Sequence, residues 1–203
     1  MGRRTYHHGN LKQALVDATI GLIEEKGPLA FTLSEAARLA GVSPAAPYRH
    51  FTGREELLAE VACQGFAEFS DRLEAAFNGG LPTALSALLR IGTAYLHFAT
   101  ERPGLYIAMF ESGMKYSPSG PVGQAAARAH GILVESARLL FQHLPEGERP
   151  PALMVANHIW ALSHGIVELF ARGEPGGRSP ISPEQMLESA GLIYLRGLGV
   201  IPH

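Results

Sequence analysis

The sequence predicts an all-α protein: an N-terminal helix-turn-helix domain joined by one long helix to a larger helical domain. Three observations predict it. Apolar residues recur at three- and four-residue spacing along most of the 203 residues. Capping and stop signals, many of them Gly-Pro or Ser-Pro pairs, divide those periodic stretches. Strand-like alternation, heptad runs and internal repeats are absent. Hydrophobic residues make up 46% of the chain, enough to bury a full core in one large or two small domains.

In chain order, Leu11, Ala14, Leu15, Ala18, Leu22 and Ile23 mark an amphipathic first helix, capped by Asn10 and stopped at Gly27-Pro28. The stretch Phe31 to Phe51, FTLSEAARLAGVSPAAPYRHF, reads as helix, turn, helix. Thr32 followed by Glu35 is a capping-box pattern. Leu33, Ala36, Ala37 and Ala40 present a small apolar face, and Gly41 ends the helix. Ser43 and Pro44 open a second helix as cap and first residue, and Pro47 falls in its first turn, where that helix is expected to survive. Its exposed face, Ser43, Ala45, Ala46, Arg49 and His50, suits entry into a major groove. Arg49 could read a guanine edge or hold a phosphate, and Ala45 or Ala46 could touch a thymine methyl. The same pattern also suits an ordinary helical hairpin in a core.

Arg54 to Phe77 is one long helix, closed by Asn78-Gly79-Gly80-Leu81-Pro82. Helices follow at Thr83 to Thr100, from Leu105 to Phe110 after an Arg102-Pro103-Gly104 turn, at Gln124 to His143, Ala152 to Arg172 and Pro183 to Leu198. Tyr116 to Gly123, Pro145 to Pro151 and Gly173 to Pro183 read as loops. A membrane span is not expected in Ala152 to Ala171, because Asn157, His158, Ser163, His164 and Glu168 interrupt it. One cysteine, Cys63, rules out an intrachain disulfide framework and suits a reducing cytoplasm.

Net charge is −2, which alone argues against a nucleic-acid partner. Its distribution argues the other way. Through Leu58, Arg3, Arg4, Lys12, Lys26, Arg38, Arg49 and Arg54 outnumber the acids by one, and the first twelve residues hold no acid. The signatures of enzymes are missing: no Gly-rich phosphate loop, nucleophile elbow, HExxH or paired-cysteine motif. No catalytic residue, cofactor or metal is expected, and His164 with Glu168 is too small a set for a metal site.

Two segments carry a family resemblance. YHHGNLKQALVDATIGLIEEKG and FTLSEAARLAGVSPAAPYRHFTGREELLAEV resemble the opening helix and helix-turn-helix of the tetracycline-repressor (TetR/AcrR) regulators. Further on, YLHFATERPGLYIAMF and the set Trp160, His164, Gly165 resemble a subgroup with a Trp-His-Gly motif in its C-terminal domain. The resemblance implies a DNA-binding domain over 1–53 and a ligand-binding and dimerisation domain over 54–203. It implies phosphate contacts from Thr32, Tyr48, His50 and Arg54, which complete the DNA set Thr32, Ser43, Ala45, Ala46, Tyr48, Arg49, His50 and Arg54. It also implies a homodimer through the last two helices, using Val155, Ile159, Leu162, Ile166, Leu169 and Phe170 with Leu187, Ala190, Gly191, Tyr194 and Leu198.

The function so implied is a cytoplasmic, ligand-responsive transcriptional regulator, usually a repressor. It would bind a near-palindromic double-stranded operator and be released by a small apolar or amphipathic effector. Tyr95, Phe98, Met109, Phe110, Met114, His130, Trp160 and His164 are the candidates for the effector's pocket, with the histidines as its orienting polar groups. For each aromatic and methionine taken alone, plain core packing is the simpler reading. The competing reading is a helical dimer that binds a partner or a small molecule without sequence-specific DNA binding.

Overall fold

The structure is a computed structural model that describes residues 11–172 and 179–201. Among these residues there are eight α-helices and no strand: α1 (Leu11–Lys26), α2 (Leu33–Leu39), α3 (Arg54–Phe77), α4 (Ala84–Glu101), α5 (Pro103–Phe110), α6 (Pro121–Leu140), α7 (Ala152–Ile166) and α8 (Pro183–Gly197). The expected cap Asn10, the residues before it and Gly173 to Arg178 lie outside the described residues. The chain forms two compact units by packing. One holds residues up to Phe66 together with Arg102–Gln124; the other holds Ala67–Glu101 and the chain from Ala125 on. Helix α3 contributes to both.

In the first unit, α1 stops at Gly27, whose φ of +85° is natural only for glycine and whose N–H returns to Ile23 O at 2.8 Å. Helix α2 opens with the capping box read from the sequence. The Thr32 hydroxyl accepts from Glu35 N–H, and a Glu35 carboxylate oxygen accepts from Thr32 N–H at 3.0 Å. It closes with a Schellman motif: Gly41, at φ +70°, donates to Arg38 O and Val42 donates to Ala37 O. Ala36 and Ala37 are fully buried, and α2 packs against α1. Helix α5 also packs on α1. A Cβ at Gly104 would lie 2.7 Å from Ile20 O and 2.8 Å from Glu24 Cγ, and Gly104 N–H donates to Glu24 Oε1 at 3.0 Å. Gly104 was expected in a turn. It stands inside α5 instead, because Pro103 starts that helix two residues early and the approach to α1 leaves no room for a side chain.

In the second unit Phe69, on α3, is fully buried. Its ring lies 5.0 Å from Tyr95 and 5.0 Å from Phe98 on α4, and 6.4 Å from Trp160 on α7. A second cluster joins α4, α6, α7 and α8 through Leu88, Leu140, Phe141, Val155 and Leu195. Helix α7 does not run as an α-helix to Arg172. From Val167 to Ala171 it widens into a π-helical turn, with Arg172 N–H reaching Val167 O at 3.2 Å. Ser182 and Gln185 give α8 a capping box of its own.

The α2 cap generates one prediction. Its partners Lys26 and Thr32 hold the exposed Glu35 carboxyl below its ordinary range, so its contribution is present above the unfolded pKa and fades as pH falls through the folded one. Glu35→Gln should therefore flatten the pH dependence of melting on the acid side of about pH 4. Thr32→Ala should lower unfolding free energy by about 1 kcal/mol in urea titrations. A second prediction concerns the centre of the other unit. Phe69→Ala should cost about 3–5 kcal/mol, read by the fluorescence of Trp160 on urea unfolding.

Candidate functional site

The turn after Gly41 and the segment up to His50 contain most of the residues expected at DNA, and they are not an α-helix. Ser43 to Ala46 forms a turn, with Ala46 N–H donating to Ser43 O at 3.0 Å. Pro47–Arg49 is a single turn of 3-10 helix, closed by His50 N–H on Pro47 O at 2.9 Å. This corrects the expectation that the helix survives Pro47. A helix begun at Pro44 needs an N–H at position 47 to bond Ser43 O, and proline has none. The stretch is also too short for its remaining bonds to offset that loss. Pro47 is buried and anchors the segment, whereas Ser43, Ala45, Tyr48, Arg49 and His50 are exposed and Ala46 is half-buried. Tyr48 is 62% exposed, so its ring stands off the protein and is not part of the core.

The cations nearby are unequal. Lys12 is bound to Glu60 at 2.8 Å and Lys26 to Glu35 at 2.7 Å. Arg54 donates to the carbonyl of Leu29. Arg38 and Arg49 carry no ion pair among the described residues. Arg38 was not singled out in the sequence. It follows Glu35 by three residues, and only the structure shows that Glu35 is already taken by Lys26 and Thr32. Thr32, expected at a phosphate, has its hydroxyl engaged in the cap, donating to Glu35 Oε2 at 3.0 Å.

Of the eight residues expected around an effector, the structure brings five together in the second unit. Tyr95 and Trp160 lie at 6.1 Å and His130 and Trp160 at 5.5 Å between ring centroids, with Phe98 reaching the group through Phe69. The Tyr95 hydroxyl shares a 3.1 Å hydrogen bond with His164 Nδ1, and His130 Nε2–H donates to Asn157 Oδ1 at 2.8 Å. Tyr95 and Phe98 are buried. In this unit the Ser70 and Ser136 hydroxyls and Glu168 Oε1 are also buried, and none of the three has a partner. The other three residues belong to the first unit. Met109 packs on Gly65, Phe110 stacks on Phe66 and Tyr106, and Met114 lines a groove with Arg54, Ser112 and Lys115. His158 and His164 point to different partners, the former hydrogen-bonding Tyr194 at 2.9 Å. Burial pushes the Tyr194 phenol up, and its hydroxyl shares the hydrogen bond with His158 Nδ1.

A cavity of about 300 Å³ opens elsewhere in the same unit, between α4, α7 and α8. Sequence reasoning missed it as a cavity, since Ile159, Leu162, Leu187 and Gly191 were assigned to a dimer face. On the outside of α7 and α8, Met154, Leu169 and Ile193 remain exposed, the last at 68%. Only 28% of the most apolar window of Glu146–Ala171 is buried, although that stretch is long and apolar enough to cross a membrane.

Comparison with known proteins decides the class. A family model described as "Bacterial regulatory proteins, tetR family" matches residues 15–61, and one described as "Tetracyclin repressor-like, C-terminal domain" matches residues 88–190. The chain belongs to the TetR family of transcriptional regulators. The HTH-type transcriptional regulator BetI of Rhizobium meliloti is 33% identical over 161 residues, 78% of this chain and 73% of that protein. A Rhodococcus protein of unknown function is 27% identical, with a TM-score of 0.80 over 96% of this chain and 98% of that one. The TetR-family regulator PfmR of Thermus thermophilus superposes at TM-score 0.69 with 20% identity, covering 90% of this chain and 97% of its own, and shares the fold. AibR, solved with isovaleryl coenzyme A and operator DNA, does so at 0.65 and 17% identity over 88% of this chain and 95% of its own. The C-terminal family description does not single out the Trp-His-Gly subgroup.

Replacing Pro47 restores the missing donor. Pro47→Ala should extend α-helix through Ala45–His50, seen as helical Cα chemical shifts and slower amide exchange there.

Proposed function

We propose that this regulator binds a near-palindromic duplex operator as a homodimer, represses from it, and is released by a small apolar or amphipathic molecule. The observation that carries the DNA reading is the exposed Ser43–His50 segment, anchored from below by Pro47 and flanked by Arg38 and Arg49, which carry no ion pair among the described residues. Tyr48, Arg49, His50 and Arg54 supply phosphate contacts, Ser43 and Thr32 lie at the edge, and Ala45 and Ala46 leave room for a base. With so few free cations per subunit, affinity rests on two subunits gripping half-sites about 34–36 Å apart. The functional division is taken near Gly53, and the protein acts by binding, not by catalysis.

The unburied apolar sides of α7 and α8 support the dimer, with Leu169 and Ile193 at its surface. AibR's complex with isovaleryl coenzyme A and operator DNA supports a small-molecule effector. So do the polar atoms left unpaired inside the second unit. Because α3 is one helix, about 36 Å long, from the reading segment into that unit, an effector that shifts its far end re-aims the reading segments. A useful switch needs the effector to prefer the released state by about 1–3 kcal/mol.

The test is binding to duplex DNA flanking the protein's own coding region, titrated over salt. Affinity should fall with log salt at about 0.9 per phosphate engaged, and Arg49→Ala and Arg38→Ala should each weaken binding and make that slope shallower. A chain indifferent to that DNA at every salt concentration would leave the partner-binding dimer as the reading.

A further inference from the structure

The cavity between α4, α7 and α8 has the construction of a binding site. Its walls are apolar: Leu88 and Leu89 from α4, Ile159 and Leu162 from α7, Leu187 and Leu195 from α8. Its volume, about 300 Å³, is at the lower end of the range of small-molecule sites. Ser163 lines it and is only 2% exposed, yet its hydroxyl has no hydrogen-bond partner among the described residues. A hydroxyl so buried normally finds one, and an unmet donor facing a cavity is met by whatever fills the cavity. Among the described residues, the only charged ones lining the space are Glu184 and Glu188, one turn apart on α8 and both exposed, and no lysine, arginine or histidine lines it.

We propose that this cavity binds an amphipathic organic cation. The apolar body lies between the leucines, a polar atom meets the Ser163 hydroxyl, and the ammonium end faces Glu184 and Glu188. The charge pattern sets the class: a carboxylate or a polyanionic coenzyme A ester would meet two like charges and no counter-charge. An apolar molecule without charge would satisfy the walls and leave the acidic pair without purpose. The inference rests on the effector reading above but places the effector outside the Tyr95–His164–Trp160 cluster.

The experiment is calorimetric titration of the full chain, without DNA, with three probes of one chain length: octyltrimethylammonium, 1-octanol and octanoate. The cation should bind at least tenfold tighter than the alcohol, and the alcohol tighter than the carboxylate. In a Glu184→Gln, Glu188→Gln double variant, which changes two exposed side chains and should melt like the parent, the three affinities should converge. Absence of binding by the parent, equal affinities, or a charge preference that survives in the double variant overturns the proposal. Operator binding is measured separately, so loss of the DNA reading and loss of this site give different results.

Discussion

Helix α3 depends on a contact at Gly65. A glycine in a helix interior costs roughly 1 kcal/mol relative to alanine, and here it sits within a 24-residue helix. The gain is in packing: a Cβ at that position would lie 2.7 Å from Met109 Sδ, so the Met109 side chain of α5 lies directly on the α3 backbone. Gly104 does the same on the other side of α5, against the Ile20 carbonyl of α1. Helix α5 is thus held between two backbones by two glycines, and it fixes α1, and through α1 the whole first unit, on the N-terminal half of α3. The sequence segment that supplies α5 lies between α4 and α6, helices of the other unit, so the first unit cannot be completed without chain drawn from beyond it.

The acidic cap residues and the cations compete for the same partners, and the outcome shapes the electrostatics of the reading segment. Glu35 lies between Lys26 and the Thr32 cap, and Glu56 accepts from Thr52 N–H and its hydroxyl. Both carboxyls are held low, Glu35 chiefly by Lys26 and Glu56 chiefly by the Thr52 backbone, so both stay charged at neutral pH. Helix ends are stabilised and Lys26 is neutralised. Among the described residues near the reading segment, Arg38 and Arg49 remain without an ion pair, so the field there is smaller than a count of basic residues indicates.

Much of this was legible in the sequence because it is governed by local rules. The Thr32–Glu35 box, the Gly27 and Gly41 stops and the bounds of α3 follow from residues within one turn of each other. The 3-10 turn at Pro47–Arg49 was misread because a proline in a first turn is harmless in a long helix, and the length of the segment is decided by Phe51 turning into the core. Gly104 was misread because turn chemistry and close approach use the same residue, and only Ile20 opposite it separates them. For the sensor, composition identified Tyr95, Trp160 and His164 as neighbours by helical phase and family likeness. It could not show where space is left over, since a cavity is a property of how α4, α7 and α8 fail to close.

That failure to close has a physical origin in the same residues. At Gly92 a Cβ would lie 2.9 Å from Leu187 Cδ2, so α8 meets the α4 backbone there, whereas at Gly191 a Cβ would meet nothing within 4 Å. Helix α8 is therefore pinned to α4 near Leu187 and again at Leu195 in the core cluster, and stands away between them. Closing the gap would need a side chain at 191. A glycine at that position keeps the cavity open, and exposed Ile193, two residues on, stands on another face of the same helix. The two are consequently coupled through the position of one helix: anything that fills the first must prefer one placement of α8, and by linkage anything that docks on the second favours or opposes it.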